Sequence, residues 1–123
     1  MLLNILLVGG GGAMGAVIRY LIGMRVTQHM GPGFPWGTLL INLSGCLLIG
    51  FLSGLFTARS FHPSAGLLMI TGVLGGYTTF SSFGLETYTL ITTGHPLTAI
   101  TYAGVSVVIG VAAVALGRMP FAG

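Results

Sequence analysis

A short run of hydroxyl and aromatic side chains holds the residues best suited to contact an ion. Phe80 and Phe83 are three positions apart, so a helix places both rings on one face. Such a pair is commonly core packing, but ring edges carry partial positive charge and can also face an anion. Hydroxyl donors surround the two rings, at Thr78, Thr79, Ser81 and Ser82. Together these side chains form a set of weak, uncharged donors suited to binding an anion.

Three polar side chains elsewhere stand within apolar surroundings, and each has two interpretations. Arg19 could anchor the first helix among lipid headgroups or form a cationic vestibule that attracts an anion. Asn42 must form hydrogen bonds in lipid, either between helices or to a permeating anion, and Thr38 lies on the same helical face. Glu86 is the only acidic residue, and it is either a functional group inside the membrane or a glutamate at the headgroup level.

A polar stripe is expected on the last long apolar segment. Thr98, Tyr102 and Ser106 recur every four residues, so they share one helical face. The stripe can line a path for an ion, or it can form hydrogen bonds between helices.

The composition shows what kind of protein must position these residues. Only five of the 123 residues carry a formal charge, whereas a soluble domain of this length would carry about 30. Four arginines are too few to neutralise the phosphates along a nucleic acid, which excludes nucleic-acid binding. Apolar residues make up 54% of the chain, so its bulk is expected to lie in a lipid bilayer.

The sequence predicts an all-α membrane protein with a single transmembrane channel domain over residues 1–123. Its four apolar segments lie at residues 2–24, 36–56, 64–94 and 96–116. The third segment would form a straight helix of about 46 Å, half as long again as the hydrocarbon core. Paired glycines and β-branched residues near its centre favour a break at residues 75–79. Freed carbonyls at such a break can hold a cation, and a merely kinked helix is the alternative.

The charges do not select one orientation in the membrane. With four crossings, Arg59 and Arg118 lie on one side, and Arg25 lies on the other with Arg19 near it. Because the positive residues are nearly balanced, we expect insertion in both orientations and an antiparallel two-fold dimer. A weakly biased single topology is the alternative.

Three stretches of the sequence resemble the Fluc family of fluoride channels, which is also called CrcB. They are GGAMGAVIRY at residues 11–20, GTLLINLSG at 37–45 and GGYTTFSSF at 75–83. Their order and spacing are similar to those of the family, as are the chain length and the break in the third helix. The resemblance covers essentially the whole chain.

The resemblance implies a fold, a function and a cofactor. The protein would be half of an antiparallel, dual-topology homodimer in a prokaryotic inner membrane, with two pores that conduct fluoride passively. This conduction would lower the fluoride concentration of the cytoplasm. The backbone carbonyls of Gly75 and Thr78 from both subunits would hold a structural Na⁺ at the dimer centre, which is not transported.

The resemblance also assigns side chains to the anion path, namely Asn42, Phe80, Ser82, Phe83, Tyr102 and Ser106, and it matches Arg19, the expected vestibule residue, to the family arginine. The residue types add Thr38, Ser81 and Glu86 to the expected fluoride pathway. Two positions depart from the family pattern. Ser82 stands where many members have threonine, which keeps the hydroxyl, and Gly110 stands where some members continue the polar track with a hydroxyl.

Two other functions suit a small four-helix membrane protein. A dual-topology multidrug exporter that exchanges protons resembles this chain in size, but such exporters carry a carboxylate in the first helix, and the first segment here has none. A non-conducting assembly subunit would not need the broken helix or the hydroxyl–phenylalanine run. No nucleophile–base pair or metal-ligand spacing indicates an enzyme.

Overall fold

Every regular element of the chain is helical, and glycine or proline stands at each connection between long helices. The computed structural model describes all 123 residues, Met1–Gly123. Its elements are α1 (Leu2–Met30), α2 (Trp36–Ala58), α3 (Pro63–Gly66), a π-helical segment (Leu67–Leu74), α4 (Gly75–Tyr77), α5 (Phe80–Thr92), α6 (Pro96–Arg118) and a 3₁₀ turn (Met119–Phe121). The prediction of an all-α protein is confirmed.

Three of these stretches are long and apolar enough to cross a bilayer, namely α1, α2 and the helical stretch Pro96–Phe121. Between α2 and α6 the chain forms two shorter pieces in series, residues 63–77 and the 13-residue helix α5. Each piece is about 20 Å long, which is less than the roughly 30 Å hydrocarbon core. The prediction of a broken third helix is therefore confirmed, and the chain is a multi-pass membrane protein.

The helices run past several of their predicted ends. The first helix continues to Met30 rather than residue 24, because residues 24–30 contain neither glycine nor proline and the chain first turns at Gly31, whose φ is 80°. The second and last long helices end at Ala58 and Arg118, each two residues beyond prediction. Hydropathy marks where a segment leaves the lipid, whereas the backbone stays helical until a residue stops it.

The break in the third helix is narrower than predicted. Only Thr78 (φ −82°, ψ 155°) and Thr79 (φ −148°, ψ 118°) are extended, while Gly75–Tyr77 remain helical. The Thr78 N–H and its Oγ1 hydroxyl both donate to the Leu74 carbonyl at 3.0 Å, which closes the first piece. The Thr79 hydroxyl then accepts the Ser82 N–H at 3.3 Å as the N-cap of α5. The capping threonines, rather than the glycines, place the break.

The first piece of the broken helix packs closely on α1. A Cβ atom on Gly11 would stand 3.0 Å from Gly72 Cα, and one on Gly15 would overlap the Val73 carbonyl. The backbone at this contact is π-helical over Leu67–Leu74, which the sequence did not predict. A π-helix is wider than an α-helix and often marks a functional region.

Glycines also bring α2 and α6 together. A Cβ on Gly50 would overlap the Val114 carbonyl, and one on Gly117 would overlap the Leu47 carbonyl. Glycine pairs spaced four residues apart predict close helix contacts. Three glycine pairs with this spacing, Gly11/Gly15, Gly50/Gly54 and Gly72/Gly76, lie at such contacts, where a Cβ on any of the six would crowd a neighbouring element.

Candidate functional site

Asn42 holds the broken backbone from the neighbouring helix. Its Nδ2 donates to the Thr79 carbonyl at 3.0 Å, and its Oδ1 accepts the Thr79 N–H at 2.9 Å. Both backbone groups of the extended residue are thus satisfied by one side chain of α2. One N–H of the Asn42 amide remains beyond the bond to Thr79, so the structure supports helix bridging and leaves a donor for a further ligand.

Two carbonyls at the break lose the partners that a continuous helix would give them. The Thr79 N–H, which would bind the Gly75 carbonyl, is donated to Asn42 instead. The Ser82 N–H, which would bind the Thr78 carbonyl, is donated to the Thr79 hydroxyl. Gly75 and Thr78 therefore present carbonyl oxygens at the centre of the crossing, and carbonyl oxygens are ligands suited to a hard cation.

Arg19 supports the same break from α1. Its Nε donates to the Gly76 carbonyl at 3.0 Å, and the residue is half-buried. The side chain also lines a polar cavity of about 270 Å³ together with Thr38, Ser82 and Glu86. The structure therefore places the guanidinium at a cavity between helices, not at an isolated surface position.

Glu86 lies at the meeting point of three helices. Its Oε1 accepts the Thr38 hydroxyl at 2.6 Å, and its Oε2 accepts the Tyr102 hydroxyl at 2.7 Å. Each carboxylate oxygen thus accepts one hydroxyl hydrogen bond, each from a different neighbouring helix. Because Tyr102 is fully buried, at 0% exposure, its contact with Glu86 holds the carboxylate among α2, α5 and α6.

The two predicted phenylalanines lie together on one side of α5. Their ring centroids are 5.6 Å apart, and Phe83 also lies 5.2 Å from Tyr102. The Phe80 ring is 82% exposed. It borders an open, mostly apolar groove of about 500 Å³ that Asn42 and Gly75 also line. The Phe80–Phe83 pair therefore extends from the Tyr102–Glu86 contact to a face of the protein that no other part of this chain covers.

The predicted hydroxyl side chains are only partly brought together. The Thr79 hydroxyl lies 3.4 Å from Ser81 Oγ and 3.2 Å from Ser82 Oγ, so these three form one cluster at the start of α5. On α6, Tyr102 reaches Glu86, whereas Ser106 is half-buried and forms no side-chain hydrogen bond. Gly110 continues that face beside Cys46, whose Sγ would be 3.4 Å from an added Cβ. Of the polar stripe on α6, only Tyr102 therefore contacts Glu86.

Two contacts of the site could not be anticipated from the sequence. Ser44 Oγ and the Tyr77 hydroxyl lie 2.8 Å apart and join α2 to the residue before the break. Phe34, in the loop between α1 and α2, meets the Tyr102 ring edge-on at 5.5 Å. Neither contact belongs to a motif or a periodic pattern. The only local signal is for Phe34, an aromatic residue inside a turn that is otherwise glycine and proline.

The assembled site combines two hydrogen-bonded groups. One is the broken backbone with Asn42 and Thr79, and the other is Glu86 with its two hydroxyl donors. The polar cavity that Arg19 lines also contacts Thr79 and Glu86, so it connects the two groups. The connected space thus holds hydroxyl donors, one guanidinium and one carboxylate that two hydroxyls engage. Neutral donors beside a single cation suit an anion that moves by weak binding at several points.

Comparisons with known proteins identify relatives over nearly the whole chain. The family model described as CrcB-like protein, Camphor Resistance (CrcB), matches residues 6–118. A relative from Rhizobium meliloti, named fluoride-specific ion channel FluC, is 46% identical over 93% of this chain and 92% of its own. Proteins of the same name from Nitrobacter winogradskyi and Chloroflexus aurantiacus are 48% and 46% identical, over 92% and 93% of this chain and 90% and 91% of their own.

Proposed function

The chain belongs to the CrcB family, and from that premise we propose that it is a passive, fluoride-selective ion channel that lets fluoride leave the cytoplasm. The observation that carries the proposal is the polar cavity beside Arg19. It contains hydroxyl donors from three helices next to an amide that is fixed at the helix break. Relatives named as fluoride channels supply the identity of the ion.

The chemistry of the cavity suits a small, strongly hydrated anion. A pore must replace the water around fluoride with other donors. The Ser82 hydroxyl in this cavity, and the second N–H of Asn42 in the groove that Thr79 also lines, offer hydrogens without full charge. A closed ring of arginines would hold the ion too tightly, because conduction requires binding that is weak at each step. Arg19 is the single cation of the cavity, which suits attraction at the entrance.

A second, inverted copy of the chain is the proposed partner. The groove beside Phe80 is open and mainly apolar, and it exposes Gly75 and part of Thr78 at membrane depth. Irregular backbone is tolerated at that depth only when protein or a polar cavity covers it. Balanced positive charge allows insertion in both directions, so an antiparallel homodimer covers the groove of each copy with the other.

A structural Na⁺ fits the same interface. The Gly75 and Thr78 carbonyls lack their helical partners, and two copies related by a two-fold axis would offer four carbonyl oxygens. When bound, the ion would hold the two broken helices together without being transported. The proposed location is the prokaryotic inner membrane, because a channel there lets fluoride leave the cytoplasm.

Anion efflux from proteoliposomes tests the proposed function. Vesicles that contain the purified protein and are loaded with fluoride should release it within minutes, whereas chloride-loaded vesicles should retain their anion. Phe80→Ile removes the exposed ring at the break and should lower fluoride efflux. Phe61→Ile is the matched control, because Phe61 lies in a loop and stacks on Phe56 far from the cavity. Equal release of chloride and fluoride would refute the proposal.

Linked pairs of chains test the inverted dimer. Four crossings place both ends of a chain on the same side, so a direct fusion forces two parallel copies, whereas a linker with one additional membrane helix forces antiparallel copies. We expect fluoride efflux only from the pair with the additional helix. Activity only from the direct fusion would exclude the antiparallel arrangement.

A further inference from the structure

A chain of five aromatic rings runs from the α1–α2 loop to the helix break. Phe34 lies 4.7 Å from Trp36 and meets Tyr102 edge-on, at 5.5 Å and an angle of 83°. Tyr102 in turn lies 5.2 Å from Phe83, and Phe83 lies 5.6 Å from Phe80. Of the five rings, only that of Tyr102 places a polar group on Glu86, whose carboxylate accepts the Tyr102 hydroxyl.

The position of the Tyr102 ring decides whether its hydroxyl reaches Glu86. The hydroxyl stands 2.7 Å from Oε2, a distance that a small rotation of the ring would lengthen. The edge of one aromatic ring against another favours a defined angle in addition to burying surface. Phe34 and Phe83 are the two aromatic neighbours of Tyr102, and only Phe34 comes from outside the helices.

The loop that carries Phe34 also borders the carboxylate. A cavity of about 390 Å³ lies beneath residues 31–35, and both Phe34 and Glu86 line it. Glu86 also lines the polar cavity that contains Arg19, so the carboxylate stands between the two spaces. Two prolines of the loop, Pro32 and Pro35, fix the backbone φ on either side of Phe34, whose ring packs on Trp36 and Tyr102.

From these contacts we propose that Phe34 is a positioning residue for the anion pathway. Its ring fixes the ring of Tyr102, which keeps the Tyr102 hydroxyl on Glu86 and leaves the second carboxylate oxygen to Thr38. Phe34 itself offers no donor to an ion and acts only through Tyr102. The inference rests on the proposed function for its effect on transport, but its effect on the Tyr102–Glu86 bond is independent of the ion transported.

A double-mutant cycle on fluoride efflux tests the coupling. Phe34→Ala and Tyr102→Phe are each expected to lower efflux about five- to tenfold, and the double variant should equal Tyr102→Phe alone, because Phe34 has no effect without the hydroxyl. Phe61→Ala, which removes a loop aromatic stacked on Phe56, is the matched control and should match the wild type. Unchanged efflux from Phe34→Ala, or effects that multiply in the double variant, would overturn the proposal.

A spectroscopic measurement separates this inference from the proposed function. In detergent micelles with ¹³C-labelled tyrosine rings, the Tyr102 resonance is assigned by its absence in Tyr102→Phe. Because loss of the Phe34 ring current moves a neighbouring signal by itself, the Cζ resonance of Tyr102 in Glu86→Leu, which lacks the hydrogen bond, sets the reference. We expect Phe34→Ala to shift the Tyr102 resonance toward that position and Phe61→Ala to leave it in place. A Phe34→Ala resonance that stays near its wild-type position, or moves away from the reference, would overturn the inference. If Phe34→Ala does not fold, Phe34→Leu keeps an apolar side chain without the ring edge and is judged by the same criteria. A wild-type protein that releases no fluoride would refute the proposed function, while the resonance would still decide the role of Phe34.

Discussion

Replacing Asn42 should destabilise the protein at the helix break. The side chain satisfies the N–H and the carbonyl of Thr79, at 2.9 Å and 3.0 Å. A buried polar group without a partner costs about 1–3 kcal/mol, although side-chain hydrogen bonds between membrane helices average only about 0.6 kcal/mol. With two bonds lost at an irregular backbone, we expect Asn42→Ala to lower the free energy of unfolding by about 2–4 kcal/mol.

A second substitution separates the lost hydrogen bonds from the lost volume. Asn42→Leu fills nearly the same space but offers neither a donor nor an acceptor, so it should also destabilise, by about 1–3 kcal/mol. Thr57→Ala on the same helix is the matched control, because Thr57 is exposed and its hydroxyl bonds only to the Ser53 carbonyl of its own helix. It should change the stability by less than about 0.5 kcal/mol.

The measurement is equilibrium unfolding in mixed micelles, followed by the circular dichroism of the helices. If Asn42→Leu were as stable as the wild type or more stable, the Asn42 amide would not hold the extended backbone of Thr79 in place. Fluoride efflux from the same variants should fall in parallel, because the break then no longer presents its groups in one geometry.

Other contacts lead to further predictions. Thr38→Val and Tyr102→Phe each remove one hydroxyl from Glu86 and should lower the free energy of unfolding by about 1.5–3 kcal/mol, whereas Thr101→Val on the exposed side of α6 should have no measurable effect. Equal stability of all three variants would contradict the hydrogen-bonded role of the carboxylate. Gly15→Ala should lower the free energy of unfolding by about 1–3 kcal/mol, because the added Cβ would overlap the Val73 carbonyl. Gly10→Ala serves as its control, because a Cβ at that position would have no neighbouring atom within 4 Å. The two alanine variants are compared by thermal unfolding in micelles, and a Gly15→Ala protein as stable as Gly10→Ala would exclude the close contact of α1.

Some features of the site were accessible from single residues and their spacing. Phe80 and Phe83, three positions apart, do lie together on α5. Arg19, Asn42 and Glu86 each have specific partners in the structure, whereas Ser106 on α6 has none. A polar or charged group that is costly to bury in lipid must have such a partner, so its type alone marks it. The partners themselves were not predictable, since Asn42 bonds to a backbone 37 residues away and Thr38 to a carboxylate 48 residues away.

The sequence by itself determined that this chain lies in a membrane, crosses it with helices and breaks the third one. Those outcomes follow from the scarcity of charge, the length of the apolar runs and the presence of glycines and hydroxyl residues, all of which act locally along the chain. The tertiary structure decided that the break falls on Thr78 and Thr79, that the preceding turns are π-helical, and that Phe34 meets Tyr102. These features depend on which backbone group or ring finds a partner on another helix, and hydrophobic periodicity carries no information about that choice.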